Sequence, residues 1–500
     1  MRISQNDQLK LDREKLRKLG FIQELDRSLG VFSNFSLSFA VISILTGLIT
    51  LYGFNVMEKG AYGFWAWIVV GIFQLFMALS LGEIASCYPI AGGVYQWTNI
   101  LGNNRMGWFN GWISLVGWSA CTTGINYGLA KFLSELFNLN TSITALLIIC
   151  LIIVALQSSI SFWGIKGVAK LNTLSVVIHI VGVLAIFVLL LIFSEPNIDW
   201  QVVSIEHALK DFKLEYFIPA LMMGAWTLTA FDASASISEE CINPTKTVPY
   251  GMILSVVFSI IGGALILFSF AQNSSAIGEL QGTGSRISLK IITMILGPNL
   301  ASLISIILVS AMFICGLAAQ TVTVRIIYAF SRNNGLPFSE IWKKVSRKNN
   351  IPIFSIVLCG SIELIISLAV TVIAWDPSAK MIPSNALPII TSLSTAGLYT
   401  SYAVVMVLSI IRRKKINKEK GEFSLGKLGP VINFISLLWA ASIAGITLFV
   451  YNTFVALIFL IIMTLLTVYY FVYMRTVLKY NYKKLSEGEL LRIENMRGME

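Results

Sequence analysis

The side chains of this chain that could do chemistry are few, and most of them lie inside apolar sequence. His179 is one of two histidines among 500 residues, and its near neighbours are Val, Ile and Leu. An ionisable group inside a membrane helix is costly, which makes it a candidate for function. Because histidine titrates near neutral pH, His179 could bind and release a proton. Alternatively, it is a neutral side chain that shares one hydrogen bond between packed helices. The other histidine, His207, falls in a polar stretch, and we expect no special role for it.

Three acidic residues also interrupt apolar segments, and each has more than one interpretation. Asp232 could be a gate partner, a cation site or a ligand of a substrate ammonium group, and we favour gating or structure. Glu83 could end a helix at the membrane interface or pair with a basic residue such as Lys166 or Lys170. Glu363, in a helix expected to be peripheral, could snorkel, contact another subunit or have a functional role, and the sequence favours none of these. The six cysteines lack metal-ligand spacing and are expected to pack in the core.

Two segments combine small polar residues at the middle of an apolar run. They are residues 31–47 (VFSNFSLSFAVISILTG) and residues 224–236 (GAWTLTAFDASAS). Ser and Thr hydroxyls can satisfy backbone groups that a helix break frees, and Gly relaxes the backbone. A broken helix offers N–H groups to a carboxylate and carbonyl groups to an ammonium, so paired breaks favour a site for a zwitterion. The alternative is that these small residues only allow close helix packing.

The elements that would position these residues are membrane-spanning helices. Hydrophobic residues make up 56% of the chain and charged residues 13%. An apolar run of about 20 residues can cross the hydrocarbon core as a helix, in which every backbone group is paired internally. The sequence predicts twelve such helices, at residues 30–54, 64–86, 107–136, 141–163, 171–194, 214–238, 248–272, 300–331, 353–375, 385–411, 429–450 and 454–474.

The distribution of Lys and Arg predicts the orientation in the membrane. Residues 1–27 are charged and lack an apolar core, so the N-terminus is expected to stay in the cytosol, and an even number of helices places the C-terminus there too. Basic runs such as 412–415 and 343–348 then face the cytosol, and Arg325 is expected to snorkel to that surface. These runs are interpreted as topology signals, with no nucleic acid as partner. The basic residues expected on the opposite side are Lys59, Lys131, Lys210, Lys213, Arg286, Lys290 and Lys380.

Several motifs resemble those of the amino acid–polyamine–organocation superfamily. LGEIASCYPIAGGVYQW at 81–97, EECINPTKTVP at 239–249 and SRNNGLP at 331–337 are similar to its signatures between helices 2 and 3, after helix 6 and at the end of helix 8. SLSF at 36–39 and TSLSTAGLYTSY at 391–402 resemble the amino acid/choline transporter branch. That branch includes permeases for γ-aminobutyrate, choline and amino acids. The resemblance covers about residues 25–475.

The resemblance implies an all-α fold of the leucine-transporter type. Helices 1–5 (residues 28–195) and 6–10 (214–411) would form two inverted repeats, with helices 1 and 6 broken. Helices 11 and 12 (428–475) would be accessory, and residues 1–27 and 476–500 would be cytosolic tails. The substrate would lie between the two breaks and cross the membrane by alternating access.

The resemblance also assigns roles to positions around the breaks. Residues 43–47 fall where the family has a Gly-Ser-Gly-type break, but this sequence has Leu45 and Thr46 before a single Gly47. Trp226 falls on the aromatic position that covers the substrate. Asp232 falls on an acidic position below the helix 6 break.

Helices 3, 5 and 8 would complete the site. Helix 3 would contribute Trp118, Cys121 and Thr122, and helix 8 the turn at 315–320. His179 matches a helix 5 position that carries a lysine in proton-coupled relatives. The expected substrate-binding residues are Ser43, Ile44, Thr46, Gly47, Trp118, Thr122, Trp226, Thr227, Thr229 and Ala230, and the residues expected for proton coupling or gating are His179 and Asp232.

The sequence therefore predicts a permease for an amino acid or a related amine such as γ-aminobutyrate, coupled to protons. Choline and polyamines are alternatives, because Trp226 could attract a quaternary ammonium or a primary amine; the single nearby acid, Asp232, counts against a polyamine. A channel or membrane sensor would need a continuous polar pore or a signalling domain, and an intramembrane enzyme would need a catalytic cluster. The sequence shows none of these patterns, so a transporter is favoured over both classes. The predicted partners are a small-molecule substrate, a proton and the lipid bilayer of the plasma or inner membrane. No cofactor or metal is predicted, and the oligomeric state is left open.

Overall fold

The structure is a computed structural model, which describes residues 4–55, 60–137, 139, 143–194, 199–210, 212–273, 287–346, 350–374, 386–419, 421–477 and 487–496. Some predicted features lie outside the described residues. They are the basic residues Lys59, Arg286, Lys380 and 347–348, the helix ends at 141, 375 and 385, parts of both tails and the side chain of His207.

The described chain is built of helices that follow one another through short connections. The longer helices coincide with the predicted ones to within a few residues at most ends, and the first and sixth predicted helices are each divided in two. The helices are α1 (Gln5–Lys18), α2 (Val31–Ile42), α3 (Ile44–Asn55), α4 (Gly60–Cys87), α5 (Gly93–Leu101), α6 (Asn104–Leu136), α7 (Ile143–Ser161), α8 (Ile165–Phe193), α9 (Ile205–Lys210), α10 (Leu214–Thr227), α11 (Ala233–Ser236), α12 (Pro244–Gln272), α13 (Ile287–Arg332), α14 (Ser339–Trp342), α15 (Ile353–Ile373), α16 (Ala386–Ile411), α17 (Arg413–Glu419), α18 (Gly429–Ile446), α19 (Thr453–Tyr469) and α20 (Glu487–Met496).

Ten helices within the described ranges are long and apolar enough to cross a membrane. The two predicted spans outside this set are α6 and the divided pair α10 and α11. Helix α6 has 33 residues, but it is rich in Gly, Ser, Thr and Asn and is buried along most of its length. Small polar residues of this kind let helices approach closely inside a membrane bundle. Because α10 and α11 have 14 and 4 residues, neither part could span a bilayer alone. Twelve spans therefore remain a prediction.

The divided helices occupy the centre of the bundle. An 18-residue apolar window within Val31–Gly53, the stretch that contains α2 and most of α3, is fully buried, whereas only 17% of the corresponding window within Thr453–Val477, at the other end of the chain, is buried. Helix α2 packs on α8, α12 and α13, and α3 packs on α10 and α13. Helix α6 packs on α13 and α16, so these two helices hold it beside the divided pair. The two breaks thus lie in protein and away from lipid, where freed backbone groups would be costly.

One end of the bundle is held together by buried ion pairs, and we call it the basic end. Arg325 pairs with Glu240 at 2.9 Å, and their side chains are 5% and 2% exposed. Arg332 pairs with Glu239 at 2.8 Å. The prediction that Arg325 snorkels to the surface is therefore wrong, because a carboxylate that follows α11 meets its guanidinium inside the protein.

Glu83 also belongs to the basic end, where it accepts hydrogen bonds from Arg413 and from the backbone N–H of Leu425. Lys166 instead pairs with Asp26 at 3.0 Å. The basic partner of Glu83 is therefore Arg413, in the run that follows α16, rather than Lys166 or Lys170.

Two other predictions about buried residues have different outcomes. All six cysteines are buried and free, as expected for packing residues. Glu363, by contrast, neither snorkels nor lies on the periphery: it is 1% exposed and accepts a hydrogen bond from Asn126 at 2.8 Å. A carboxyl group without partners would be costly inside a bundle, and polar side chains of two other helices, Asn126 of α6 and Gln320 of α13, contact it.

Candidate functional site

The first divided helix breaks at a single residue. Ser43, between α2 and α3, has φ +31° and ψ 81°, in the left-handed region. Its N–H donates to the carbonyl of Phe39 at 3.1 Å, and its Oγ accepts the N–H of Thr46 at 3.3 Å. The hydroxyl therefore caps the start of α3 in the usual way of a serine N-cap. The break leaves the other first N–H groups of α3 and the last carbonyls of α2 outside the helical ladder.

The second break is longer and is held by side chains of other helices. Residues 228–232 separate α10 from α11, and Ala230 has φ +63°. The hydroxyl of Tyr399 donates to the carbonyl of Ala225 at 2.9 Å, and Oγ of Ser38 donates to the carbonyl of Phe231 at 2.9 Å. These bonds satisfy carbonyls that the break takes out of the ladder, so the irregular segment is specified by its neighbours.

The two divided helices cross at Gly47 and Thr227. A Cβ atom built on Gly47 would lie 2.2 Å from Oγ1 and 2.7 Å from Cβ of Thr227. Gly47 itself is helical, with its N–H donating to the carbonyl of Ser43 at 3.0 Å. Its lack of a side chain is therefore needed for the close approach of α3 and α10, and the break lies at Ser43 rather than at the glycine.

A narrow cavity of about 10 Å³, room for about one water molecule, lies between the two breaks. Helices α6 and α13 close its sides. Its lining contains no charged side chain, so it suits a ligand that brings its own charges to backbone groups. The lining residues are Val41, Ile42, Thr46, Gly47, Cys121, Ile125, Trp226, Thr227, Thr229, Ala230 and Cys315.

The structure places six of the ten predicted binding residues in this lining: Thr46, Gly47, Trp226, Thr227, Thr229 and Ala230. The other four are buried beside it. Ser43 forms the break and Ile44 begins α3, while Thr122 faces Thr323 of α13, with 2.9 Å between their Oγ1 atoms. Trp118 is buried one turn before Thr122, whose Oγ1 donates to its carbonyl.

Three lining residues were not predicted: Val41, Ile42 and Ile125. Ile125 follows Cys121 by four residues and so shares its helix face, which is a signal that the sequence contains. Val41 and Ile42 come directly before the break. Of the predicted turn at 315–320, Cys315 lines the cavity, whereas Gln320 points to other polar groups.

His179 touches the first break directly. It is fully buried in α8, and its Nε2 lies 2.8 Å from Oγ of Ser43. Its Nδ1 lies 2.8 Å from the carbonyl of Ser175, which can only accept, so Nδ1 carries a hydrogen. In the neutral ring Nε2 then accepts the hydroxyl hydrogen of Ser43. Oγ of Ser43 also lies 2.5 Å from Oγ1 of Thr46, which lines the cavity.

Asp232 ends the second break and points away from the cavity. Its Oδ1 accepts the hydroxyl hydrogen of Tyr402 at 2.5 Å. Tyr402 and Tyr399 are neighbours on α16, and Tyr399 holds the carbonyl of Ala225. The carboxyl group is thus part of the contact between the second break and α16 and does not line the cavity.

The ion pairs of the basic end form a charged layer beyond the cavity. Cys315 lines the cavity, and Arg325, ten residues further along α13, is about 15 Å away at the usual helical rise. The segment before α2 adds to this layer, since Arg27 donates to the carbonyl of Cys241 at 2.5 Å. Burial lowers the pKa of Arg27, although Asp12 and Glu239 oppose this shift. Burial also raises the pKa of the Cys241 thiol.

An all-helical membrane bundle with a central cavity between two broken helices is the architecture of a membrane transporter. The chain belongs to the amino acid permease family, whose model matches residues 29–478. It is 28% identical over 459 residues to the amino-acid permease BAT1 of Arabidopsis thaliana, covering 86% of this chain and 87% of the relative. It is also 25% identical over 480 residues to the GABA-specific permease of Saccharomyces cerevisiae, covering 88% of this chain and 78% of the relative. The protein is therefore a multi-pass membrane protein of the amino acid transporter class.

Proposed function

We propose that this protein is a proton-coupled secondary transporter of an amino acid or a related amine such as γ-aminobutyrate. The observation that carries the proposal is the cavity between the two breaks, together with the contact of His179 with the first break. The similarity to amino-acid permease BAT1 and to a GABA-specific permease supports the substrate class. The family membership favours transport over catalysis, and no enzyme activity is proposed.

The breaks supply complementary partners for a zwitterion. The start of α3 offers N–H groups and the positive end of a helix dipole to a carboxylate. The carbonyls at the end of α10 and in residues 228–231 can accept hydrogen bonds from an ammonium group. Trp226 lines the cavity, and its indole N–H has no hydrogen-bond partner among the described residues. Its ring would cover the substrate, and its free donor would be satisfied by a substrate oxygen.

His179 couples a proton to this site through Ser43. When Nε2 is neutral, it accepts from the Ser43 hydroxyl. A proton on Nε2 turns it into a donor, so the Ser43 hydroxyl must turn and give its hydrogen elsewhere. Because the same hydroxyl lies beside Thr46 Oγ1 and caps α3, a proton on His179 changes the hydrogen bonds at the break. Coupled transport requires that the bound proton favour one of two conformations over the other, and the first break is the segment whose hydrogen bonds the proton on His179 would change.

Alternating access would move the charged layer at the basic end, which we place in the cytosol together with both termini. The Arg325–Glu240 and Arg332–Glu239 pairs close that side of the cavity, and their separation would open it. Two inverted repeats, at 28–195 and 214–411, would rock against each other around the two breaks. Choline or a polyamine is a less suitable substrate, because the cavity lining holds no acid.

The test is uptake of labelled amino acids into proteoliposomes, with and without an inward proton gradient. Wild-type protein should accumulate substrate only with the gradient. Competition by a panel of amino acids, γ-aminobutyrate, choline and putrescine would identify the substrate. His179→Asn should abolish the effect of the gradient. Its matched control is Ser175→Ala, which keeps the backbone carbonyl that holds Nδ1. Gradient-driven uptake by His179→Asn at the wild-type level would refute the coupling role.

A further inference from the structure

A buried carboxyl group that takes no part in the ion pairs of the basic end lies behind the cavity, at a place that the proposed transport site does not use. Glu363 in α15 is 1% exposed. Its Oε2 accepts a hydrogen bond from Asn126 of α6 at 2.8 Å. Its Oε1 lies 3.4 Å from Nε2 of Gln320 in α13 and 3.3 Å from Sγ of Cys359 in α15. An ionisable group buried this deeply in a membrane bundle is costly, which makes Glu363 a candidate for function.

The partner of Oε2 has a fixed orientation. Gln157 of α7 donates through Nε2 to the backbone carbonyl of Phe313 at 3.0 Å, and a carbonyl can only accept. Its Oε1 must therefore accept from Asn126, and its Nε2 must donate to Oδ1 of Asn126, both at 2.9 Å. This leaves the second N–H of Asn126 to donate to Glu363, whatever the charge of the carboxyl group.

The partner of Oε1 can instead reverse its role. The other contacts of the Gln320 amide are two hydroxyls, Oγ of Ser158 at 3.1 Å and Oγ of Ser161 at 3.3 Å. A hydroxyl can donate or accept. The amide can therefore present its N–H to an ionised Glu363, or turn over and present its oxygen to a protonated one, and both serine hydroxyls remain satisfied. The cluster can thus hold the carboxyl group in either state.

The charges around Glu363 leave a proton as its counterion. Among the described residues, no Lys, Arg or His forms an ion pair with it. The titratable groups near it are the thiols of Cys359 on its own helix and Cys150 on α7, and α6 adds Tyr127 near Thr371. Helix α13 faces it with the Gln320 amide. A metal cation at Oε2 would meet the N–H of Asn126 that donates to the carboxyl group.

The cluster adjoins the substrate cavity through two helices. A Cβ atom on Gly316 of α13 would lie 2.1 Å from Oδ1 of Asn126 and 2.5 Å from Nε2 of Gln157. The residues next to Gly316 and Asn126 in sequence, Cys315 and Ile125, line the cavity. Helices α6 and α13 therefore have the cavity on one side and the Glu363 cluster on the other, without room between them.

We propose that Glu363 is a proton-binding site, distinct from His179, whose occupancy is sensed by α13 through the Gln320 amide. When the carboxyl group binds a proton, its O–H donates to the oxygen of Gln320; when it releases the proton, the amide turns and donates its N–H. The change acts on the helix that carries Cys315 to the cavity and Arg325 to the basic end. That this proton contributes to transport rests on the proposed function, whereas the binding itself does not.

The binding is tested on purified protein in lipid nanodiscs by infrared difference spectra between acid and alkaline pH. We expect a carbonyl band of a protonated carboxyl group that shifts when glutamate is labelled with ¹³C. Glu363→Gln should lose this band, and the control Asp232→Asn should keep it. Identical glutamate bands in wild type and Glu363→Gln would overturn the proposal. If Glu363→Gln does not fold, Gln320→Met serves instead: it should move the midpoint of the band's titration, and an unchanged midpoint would equally count against the proposal.

The role in transport is tested separately in proteoliposomes. Glu363→Gln imitates the protonated carboxyl group, so uptake should continue while its dependence on pH is flattened and fewer protons enter per substrate. Unchanged pH dependence and proton entry would overturn the coupling role. If the wild-type protein takes up no amino acid, the proposed function fails, but the infrared result still decides whether Glu363 binds a proton.

Discussion

The contact between the divided helices provides the sharpest test of the site. Gly47→Ala adds one methyl group where α3 crosses α10. The new Cβ would lie 2.2 Å from Oγ1, 2.3 Å from Cγ2 and 2.7 Å from Cβ of Thr227. Rotation of Thr227 could remove the first two contacts at the cost of its bond to the carbonyl of Met223, but its Cβ is fixed to the backbone. The two helices would have to separate by roughly 0.8–1.3 Å to restore ordinary carbon–carbon contact.

The expected cost follows from this geometry. Overpacking of this size costs about 1–3 kcal/mol, which corresponds to a change of about five- to 150-fold in an equilibrium constant. This free-energy penalty destabilises every conformation in which the two breaks enclose the cavity. Gly47→Ala should therefore weaken substrate binding by a factor in that range and lower the melting temperature of the purified protein.

The measurement is substrate binding and thermal unfolding of the purified protein, with two kinds of control. Gly445→Ala in α18 is the matched substitution, because a Cβ there meets nothing within 4 Å, and it should leave both values near wild type. Thr227→Ala added to Gly47→Ala should restore binding only in part, since it leaves the Cβ contact, and Thr227→Gly should restore more. If Gly47→Ala alone has the substrate affinity and the melting temperature of the wild type, the argument is refuted.

Two further predictions concern the basic end. Glu240→Gln should lower the free energy of unfolding by about 3–5 kcal/mol, because it leaves Arg325 buried without its charged partner; thermal unfolding measures this loss. The control is Glu340→Gln, which removes an exposed ion pair and should cost at most about 1 kcal/mol. Equal losses in the two variants would contradict the role of burial. Maleimide labelling of Cys241 should be slow, because burial raises the pKa of its thiol, and Arg27→Ala should speed it by loosening the covering segment. Labelling is located by mass spectrometry, with Cys241→Ser as control, and an equal rate in Arg27→Ala would argue against the cover.

The parts of the candidate site that could be predicted are those that the local sequence reveals by residue type alone. Apolar runs predicted the helices, because a bilayer demands about 20 residues per span. The paired segments of small polar residues predicted the two breaks, and Trp226 and Gly47 were expected beside them. His179 was predicted as a functional residue because it stands in apolar sequence, and the structure brings it to Ser43.

Other features required contacts between residues far apart in the chain. Glu363 lies 237 residues from its partner Asn126, so no local pattern could distinguish it from a snorkelling side chain. Arg325 was expected at the surface because its partner Glu240 follows a different helix. The first break was predicted within residues 43–47, where the backbone freedom of Gly47 is visible in the sequence, whereas the close approach of Gly47 to Thr227 is not.

The sequence by itself determined the class of protein, the place of the apolar helices and the two segments in which a helix is broken. These properties depend on side-chain hydropathy and local backbone preference, which each residue carries wherever it stands. The tertiary structure decided which acidic and basic groups meet, which face of each helix lines the cavity and where the break falls within residues 43–47. These depend on packing between helices, because inside a bilayer the partners that stabilise a buried charged group come from other parts of the chain.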